Sequence, residues 1–249
     1  PDYFSSTGQL WGTPTYFWSK HKSTNFDWWR KRFKRQFELV DLLRLDHFRG
    51  LAGYWRVNGS SKTAICGKWI NSPGKTLLNK LKIDLGTDYL PIIAEDLGVI
   101  TPDVEKLRRN FKLPGMKILQ FAFDGKEDNP YLPKNIEGEN WVVYTGTHDN
   151  STSISWWECL ENNSKKRIKD EYKFSENPSW SLIKIGMETN ANLFIAPIQD
   201  ILSLDDSSRL NTPGTTTNNW KWKINLPLEE IEEDIRRFSE LGNNFGRTR

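Results

Sequence analysis

Short apolar runs alternate with segments of helical spacing along this sequence, and that alternation constrains the fold more than any other feature. The apolar runs, which have the length of buried strands, lie at 42–46, 89–96, 116–122, 141–147 and 193–198. The segments with helical spacing lie at 26–39, 102–111, 181–189 and 227–238. A pattern that switches repeatedly between strand and helix is typical of a parallel sheet with helices outside the strands. The sequence therefore predicts an α/β fold.

Local signals mark where several of these elements begin and end. Thr101 is a good N-cap residue and Pro102 suits the first helical position, so a helix is predicted to start there. The segment 227–238 has acidic residues early and arginines late, as the helix dipole favours, and is predicted to be a closing structural helix. Residues 5–20, rich in glycine and aromatic residues, are predicted to form a loop.

Acidic residues stand at the ends of several apolar runs. Asp46 ends the first run, Glu95 lies near the end of the second, and Asp149 closely follows the fourth. In a (β/α)8 barrel the catalytic groups come from the C-terminal ends of the strands, and these carboxylates fit that position. Such a barrel needs eight strands, whereas about five are recognised in the sequence. Either a strand is overlooked, for example at 54–57, or the N-terminal strands are missing, which the loop-like opening of the chain favours.

Three carboxylates at strand ends can supply the two that glycosidic bond cleavage requires. Arg44 would point to the same face of its strand as Asp46 and favour the ionised form that a nucleophile needs. Glu95, if surrounded by other carboxylates, is the group most easily kept protonated, as an acid must be. His148 could donate a hydrogen bond to a sugar hydroxyl, leaving Asp149 to hold and distort the ring.

Each of these residues also has a purely structural interpretation. An aspartate after a strand is commonly an N-cap or a turn former, Glu95 could stand at an ordinary loop entry, and His148 could be a partly buried histidine with satisfied hydrogen bonds. The combination favours a catalytic site, because two of the chain's three histidines adjoin these carboxylates. Spacing alone leaves the substrate and the reaction open.

The chain contains 12 tryptophans, and aromatic rings stack on the apolar faces of sugars. Most tryptophans pack in cores, so only some are candidates for a glucan groove. The best candidates stand beside glycine and polar residues in predicted loops; they are Trp11, Tyr54 and Trp55. Others are predicted to pack in the interior: Trp28, Trp29 and Trp157.

Composition excludes some classes of protein. The net charge of +3 is far below that expected of a nucleic-acid-binding surface, and the basic stretch 30–35 is predicted to be a solvated helix face. Two cysteines, Cys66 and Cys159, are too few for a disulfide framework and lack metal-site spacing, which favours a reducing compartment. No apolar run is long enough for a membrane span, so no membrane partner is expected. We expect the protein to be located in the bacterial cytoplasm or, if it comes from a plant or alga, in a plastid.

Five motifs, taken together and in order, resemble the signatures of the 4-α-glucanotransferases, the family of amylomaltases and disproportionating enzymes. The motifs are Ser-Thr-Gly-Gln-Leu-Trp-Gly at 6–12, Arg-Leu-Asp-His-Phe-Arg-Gly at 44–50, Ile-Ala-Glu-Asp-Leu-Gly at 93–98, the segment 113–123, and Tyr-Thr-Gly-Thr-His-Asp-Asn at 144–150. The resemblance extends to Asn-Thr-Pro-Gly at 211–214 and to the final helix. It implies a (β/α)8 barrel of the α-amylase superfamily, of which residues 1–249 would form the C-terminal portion, from about strand 4 to strand 8.

The resemblance also implies a retaining double displacement on 1,4-α-glucans, with a sugar rather than water as acceptor. Asp46 would be the nucleophile, Glu95 the acid and base, and Asp149 the stabiliser of the oxocarbenium-like transition state. The substrate-binding residues would be Arg44, His148, Gln9, Trp11, Tyr54 and Asn211, with the loop at 9–12 covering the groove. No metal or organic cofactor is implied, and the partners are maltooligosaccharides and other 1,4-α-glucans.

Two positions depart from the family pattern. Family members usually carry a glutamate near the position of Ser60, and they more often have arginine where this chain has Lys68. Neither position is assigned a role. Two other functions remain open, a hydrolase of the same superfamily and a non-catalytic glucan-binding protein. Because family members have a longer N-terminal part, this portion alone could be inactive.

Overall fold

A computed structural model describes residues 5–98 and 100–247, and the chain separates after Met116 into two compact units. Both units mix helices and strands, which agrees with the predicted α/β class. Within the described residues, no helix is both long enough and apolar enough to cross a membrane.

The first unit contains four helices and four strands among its described residues, and β5 begins at its end. In chain order they are α1 (Trp18–Ser23), α2 (Asp27–Phe37), β1 (Leu43–Leu45), β2 (Gly53–Val57), β3 (Gly67–Asn71), α3 (Gly74–Leu85), β4 (Ile92–Ala94), α4 (Pro102–Asn110) and β5 (Gly115–Ile118). Buried side chains from α2, α3, β4 and α4 form one core, in which Leu77, Leu78 and Ile92 are fully enclosed. The predicted loop at 5–20 is wrong at its end, because α1 begins at Trp18.

Strands β1 and β4 form a parallel pair that sets the geometry of the first candidate site. Their register places Leu43 opposite Ile92 and Leu45 opposite Ala94. Both strands are shorter than the predicted runs, but the main chain of Glu95 still donates to the carbonyl of Leu45 at 3.1 Å, which carries the pairing past the last strand residue.

The run at 54–57 is a strand, but it does not supply another member of the parallel sheet. It belongs to β2, which pairs with β3 as an antiparallel hairpin in which Trp55 faces Trp69. The indole of Trp55 lies across the hairpin against Gly67, where a Cβ would stand 2.7 Å from the ring. Glycine at this position permits the close approach of the ring to the neighbouring strand.

The second unit contains the remaining elements: β6 (Trp141–Tyr144), α5 (Ser153–Cys159), α6 (Asn162–Tyr172), α7 (Pro178–Glu188), β7 (Leu193–Ile195), α8 (Ile198–Ile201) and α9 (Leu228–Asn244). Its sheet has the order β5-β6-β7, and β6 runs parallel to β7 with Val143 opposite Phe194. The predicted strands at 116–122 and 193–198 are too long. A tight 3-10 turn at Leu119–Phe121 ends the first, and the second stops before Pro197, which precedes α8.

The predicted helix boundaries hold to within a few residues, except that α9 continues to Asn244. Helix α4 begins at Pro102 as expected, but the Thr101 hydroxyl makes no capping bond to the helix and instead accepts a hydrogen bond from Arg49 at 3.1 Å. Helix α7 is capped by Asn177, whose side chain accepts from the main chain of Trp180 at 3.1 Å.

The three tryptophans predicted to pack behave differently from one another. Trp29 is buried, and Trp157 stacks on Phe174 with ring centroids 5.1 Å apart. Trp28 is 48% exposed, so its predicted interior position is wrong, although its ring contacts Tyr16 and Trp29. Cys66 and Cys159 are both exposed and unbridged.

Candidate functional site

Asp46 and Glu95 follow immediately after the last paired residues of two neighbouring parallel strands. Leu45 of β1 faces Ala94 of β4, and the next residue of each strand carries a carboxylate. Because the two strands run in the same direction, their carboxyl ends lie at the same edge of the sheet. Both carboxylates follow strand ends, as the sequence predicted, and the strand register brings Asp46 and Glu95 to the same edge of the sheet.

Glu95 is half-buried and is held by two main-chain donors. One carboxylate oxygen accepts from the N–H of His47 at 2.8 Å, and the other accepts from the N–H of Leu97 at 2.9 Å. Burial raises the pKa of Glu95, and the negative charge of Asp46 raises it further, while the two N–H groups and the Arg44 guanidinium oppose the rise. The net direction favours a protonated carboxyl, which is the form that a general acid requires.

The turn after Asp46 aims one of these donors at Glu95. His47 has a φ of 50° and a ψ of 50°, in the left-handed region, and a 3-10 turn at Phe48–Leu51 follows it. The N–H of Phe48 donates to the carbonyl of Glu95 at 3.2 Å, and the Phe48 ring is fully buried. A left-handed residue that is not glycine costs roughly 1 kcal/mol or more. This conformation lets consecutive N–H groups of residues 47 and 48 face the same residue.

Asp46 differs from Glu95 in its environment. Its side chain is 77% exposed, and one carboxylate oxygen lies 2.7 Å from Nη2 of Arg44. The contact agrees with the strand period, which puts residues 44 and 46 on one face. Asp46 is therefore an accessible carboxylate in an ion pair with Arg44, and an accessible carboxylate can act as a nucleophile.

Asp96, next to Glu95, has a structural role. Its side chain is buried and forms an ion pair with Arg108 at 3.1 Å, and its other oxygen accepts from the N–H of Met116 at 2.8 Å. Arg108 in turn donates to the carbonyl of Leu113 at 3.0 Å. Asp96 therefore ties the end of β4 to α4 and to the start of β5.

The predicted substrate loop and Tyr54 lie in the same unit as Asp46 and Glu95. Trp11 is 67% exposed, and its indole N–H donates to the Gln9 side chain at 3.2 Å. The loop is tied to the hairpin because the N–H of Ala64 donates to the carbonyl of Thr7 at 3.0 Å. Tyr54 is half-buried on β2, opposite Ile70.

Asp149 lies in the second unit, in a turn that follows β6. The side chain of Asn150 accepts from both the N–H and the hydroxyl of Thr147, at 2.9 and 2.8 Å, which closes the turn. His148 Nε2 lies 3.2 Å from an oxygen of Asp149. The predicted neighbours His148 and Asp149 thus contact each other.

A distant segment holds this turn from the other side. The amide of Asn211 donates to the Asp149 carboxylate at 2.6 Å, and the Asn211 main chain donates to the carbonyl of His148 at 3.1 Å. Asn211 therefore positions Asp149, and the substrate contact predicted for it stays a prediction. Arg209 donates to the carbonyls of Asp149 and Asn211, at 2.6 and 2.9 Å.

Sequence reasoning missed Arg209 and Trp220. Trp220 places its ring 5.1 Å from the ring of His148, at an angle of 37°. The only sequence signal for either residue is that both flank the Asn-Thr-Pro-Gly motif at 211–214.

A further carboxylate, Asp200, is only 1% exposed and serves the framework. It accepts hydrogen bonds from the Thr145 hydroxyl and from the N–H of Ser153, the latter at 2.7 Å. Burial raises the pKa of Asp200 against the opposing effect of these donors. The contacts tie the end of β6 to the start of α5 and to α8.

The described parts of both units contain no cluster of three or more histidine, cysteine, aspartate or glutamate side chains placed to hold a metal ion. The chemistry that the described side chains can perform is that of an exposed carboxylate, paired with an arginine, beside a carboxyl with a raised pKa. Glycosyl transfer and hydrolysis both use two neighbouring carboxyl groups of this kind.

Comparisons with known proteins agree with this chemistry. The family model described as 4-alpha-glucanotransferase matches residues 1–228. The 4-alpha-glucanotransferase of Synechocystis is 49% identical over 90% of this chain and 44% of its own length, and that of Thermus thermophilus is 43% identical over 97% of this chain and 49% of its own. The chloroplastic or amyloplastic 4-alpha-glucanotransferase of Arabidopsis thaliana is 44% identical over 99% of this chain and 43% of its own length.

A solved structure gives the same result. The amylomaltase from Streptococcus agalactiae in complex with acarbose matches 100% of this chain and 50% of its own length, with a TM-score of 0.91 at 35% identity. The chain thus spans about half the length of the relatives that it matches. The family match over most of the chain and the shared identity lead to one conclusion: the chain belongs to the 4-alpha-glucanotransferase family.

Proposed function

We propose that this protein is a 4-α-glucanotransferase that moves a segment of a 1,4-α-glucan to the 4-hydroxyl of an acceptor sugar. The main support is the position of Asp46 and Glu95 directly after the facing residues Leu45 and Ala94 of two parallel strands. Asp46 is exposed and paired with Arg44, while burial raises the pKa of Glu95. Two neighbouring carboxyl groups, one exposed beside a guanidinium and the other with a raised pKa, suit a retaining double displacement.

In the first step, Asp46 attacks the anomeric carbon of the donor glucan and the glycosidic C–O bond breaks. Glu95 gives its proton to the departing oxygen, so the leaving glucan is released with a free 4-hydroxyl and a glucosyl-Asp46 ester remains. In the second step, Glu95 takes the proton of an acceptor 4-hydroxyl, whose oxygen attacks the anomeric carbon and releases Asp46. Inversion in each step gives overall retention. Asp149 stabilises the oxocarbenium-like transition states.

The remaining predicted site residues bind the glucan. Arg44 and His148 contact the sugar in the donor subsite, and Tyr54 lines the groove. The loop of Gln9 and Trp11 covers the groove and disfavours water as acceptor. Asn211 contributes by fixing the carboxylate of Asp149, to which it donates at 2.6 Å.

The proposed architecture is a (β/α)8 barrel of the α-amylase type. Residues 1–249 would supply one portion of this single catalytic domain, from about strand 4 to strand 8 with the closing helix. The likeness to the amylomaltase from Streptococcus agalactiae, a protein solved with acarbose bound, supports both the barrel and the glucan substrate.

Two other functions are testable against this one. A hydrolase of the same superfamily would use the same carboxylates and differ only in the acceptor. A non-catalytic glucan-binding protein would need no acid and nucleophile pair, so the contrast between Asp46 and Glu95 argues against it.

The deciding experiment is to incubate the full-length protein with maltotriose and to separate the products by size. Transfer gives a ladder of maltodextrins longer than the substrate, together with free glucose. Products no longer than maltotriose would indicate hydrolysis, and unchanged maltotriose would indicate binding without catalysis.

A further inference from the structure

Trp220 is an exposed tryptophan with an unusual backbone conformation. Its φ is +61°, in the left-handed region that bulky residues rarely adopt, and the residue is 63% exposed. Phe26 has a similar φ of +58°, but it is only 2% exposed and belongs to the core of the first unit. Burial of the Phe26 ring in the core offsets the strain of its backbone. Trp220 is mostly exposed, so burial offsets much less of its backbone strain.

Two other left-handed residues have an evident local role. Lys173 ends α6, and Lys112 lies just beyond the end of α4, where a left-handed residue commonly terminates a helix. No helix ends at Trp220. Strain that neither packing nor a helix end accounts for occurs preferentially at binding and catalytic sites.

Hydrogen bonds hold the backbone of the loop that precedes Trp220. The side-chain oxygen of Asn219 accepts from the N–H of Thr212 at 3.0 Å, and its amide donates to the carbonyl of Thr215 at 3.0 Å. The N–H of Trp220 donates to the carbonyl of Leu210 at 2.7 Å. These bonds close residues 210–220 into a compact loop that presents the indole.

The indole stands beside the second candidate site. Its ring centroid is 5.1 Å from that of His148, whose Nε2 is 3.2 Å from the carboxylate of Asp149. The His148 ring is tilted by 37° to the indole, and Trp220 is still 63% exposed beside it.

We propose that the exposed face of Trp220 is a stacking platform for a glucose ring of a 1,4-α-glucan, next to the ring that is held at Asp149. The inference rests on the proposed function and adds a binding subsite to it. A pyranose has an apolar C–H face bordered by hydroxyl groups. An exposed indole supplies the apolar surface, and the imidazole of His148 is a polar group beside it.

The test measures binding directly in a full-length protein that cannot turn its substrate over. Maltohexaose is titrated by calorimetry into D46N and into D46N combined with W220A, W220F or W28A. Loss of one stacking contact should weaken maltohexaose binding roughly tenfold in the W220A protein, while a phenyl ring in W220F should keep it within about threefold of D46N. Trp28 is the matched control, because it is also an exposed tryptophan and its ring contacts Tyr16, His21 and Trp29.

Three results would overturn the platform. Equal affinity of D46N with and without W220A is the first, and failure of D46N to bind maltohexaose is the second. The third is equal loss of affinity in W220A and W220F together with a lowered melting temperature, which would mean that the indole only supports the loop.

Kinetics on the nucleophile-intact protein separate this proposal from the proposed function. W220A should raise KM for maltotriose transfer more than it lowers kcat, and W220F should restore KM. Absence of transfer in the parent protein combined with weakened binding in W220A would refute transfer and leave the platform standing. Normal transfer with an unchanged KM in W220A would refute the platform alone.

Discussion

The two candidate regions position their carboxylates by different means. In the first unit, Glu95 is held by main-chain N–H groups of residues 47 and 97, and its approach to Asp46 follows from the pairing of β1 with β4. In the second unit, Asp149 is held by the side chain of Asn211 and its main chain by Arg209, both about 60 residues further along the chain. A carboxylate held by main-chain groups tolerates changes of the neighbouring side chains. A carboxylate held by side chains depends on the identity of each residue that contacts it.

The largest expected effect comes from removing the proposed nucleophile. Asp46→Asn keeps the shape of the side chain but cannot form the glucosyl ester, so transfer from maltotriose should fall by at least about 1000-fold. Calorimetry with maltohexaose should show that binding is largely kept. Substantial residual transfer would exclude Asp46 as the nucleophile.

Replacement of the proposed acid should be nearly as severe. Glu95→Gln removes the proton donor and should reduce transfer by about 100- to 10,000-fold. A maltosyl fluoride donor, whose leaving group needs no proton, should restore formation of the glucosyl ester, as seen by release of fluoride. If fluoride release is as impaired as transfer, Glu95 has a different role.

The raised pKa of Glu95 also predicts how the difference in stability between the parent and E95Q depends on pH. Below the ordinary carboxyl range both folded and unfolded Glu95 are protonated, and the charge has no effect on the free energy of unfolding. As the pH rises, the unfolded carboxyl ionises first, and stability is lost until the pH passes the raised folded-state pKa. The unfolding free energy of E95Q relative to the parent should therefore shift in favour of E95Q over this range, and a shift in the other direction would contradict the raised pKa.

Replacing Asp96, the buried neighbour of Glu95, should change the stability of the protein rather than its catalysis. Asp96→Ala leaves the Arg108 charge buried without Asp96, so the free energy of unfolding should fall by about 3–5 kcal/mol. Asp84→Ala is the control, since its ion pair with Arg30 has side chains 30% and 32% exposed, and its loss should cost at most about 1 kcal/mol. Urea denaturation of both variants measures the difference. Equal losses would mean that burial of the Asp96 pair does not determine its contribution.

The smallest effect should come from removing the Asn211 side chain, which holds Asp149 in the second unit. Asn211→Ala removes one hydrogen bond to the carboxylate of Asp149, which should lower kcat by roughly 10- to 100-fold while changing KM little. Asn163→Ala, an exposed asparagine on α6, is the control and should leave kcat unchanged. A kcat for N211A equal to that of the control would show that Asp149 keeps its position without the hydrogen bond from Asn211.

The same contrast explains what could be predicted from the sequence. The α/β class, the strand ends at Asp46 and Glu95, and the contact of Arg44 with Asp46 follow from strand period, which is a local property. The hairpin of β2 and β3 was harder to predict, because a short apolar run at 54–57 does not reveal the direction of its partner.

Long-range side-chain contacts could not be predicted in the same way. Nothing near Arg209 indicates that its guanidinium reaches the carbonyl of Asp149, and nothing near Trp220 indicates a left-handed backbone or a contact with His148. Strand lengths were also overestimated, because the apolar character of 116–122 continues into a tight turn that packs in the core. Burial, which the sequence does report, is not the same property as strand conformation.

The facing indoles of Trp55 and Trp69 give the hairpin an optical signal. Their ring centroids are 5.5 Å apart and their planes meet at 63°, a geometry in which the electronic transitions of two identical chromophores couple. Such coupling produces a pair of circular dichroism bands of opposite sign, and the pair disappears when the rings separate. Trp28 and Trp29, with ring centroids 5.2 Å apart, couple in the same way, so the contribution of the hairpin is the part of the signal that is lost in W69F. That part follows local opening of the β2–β3 hairpin without a label.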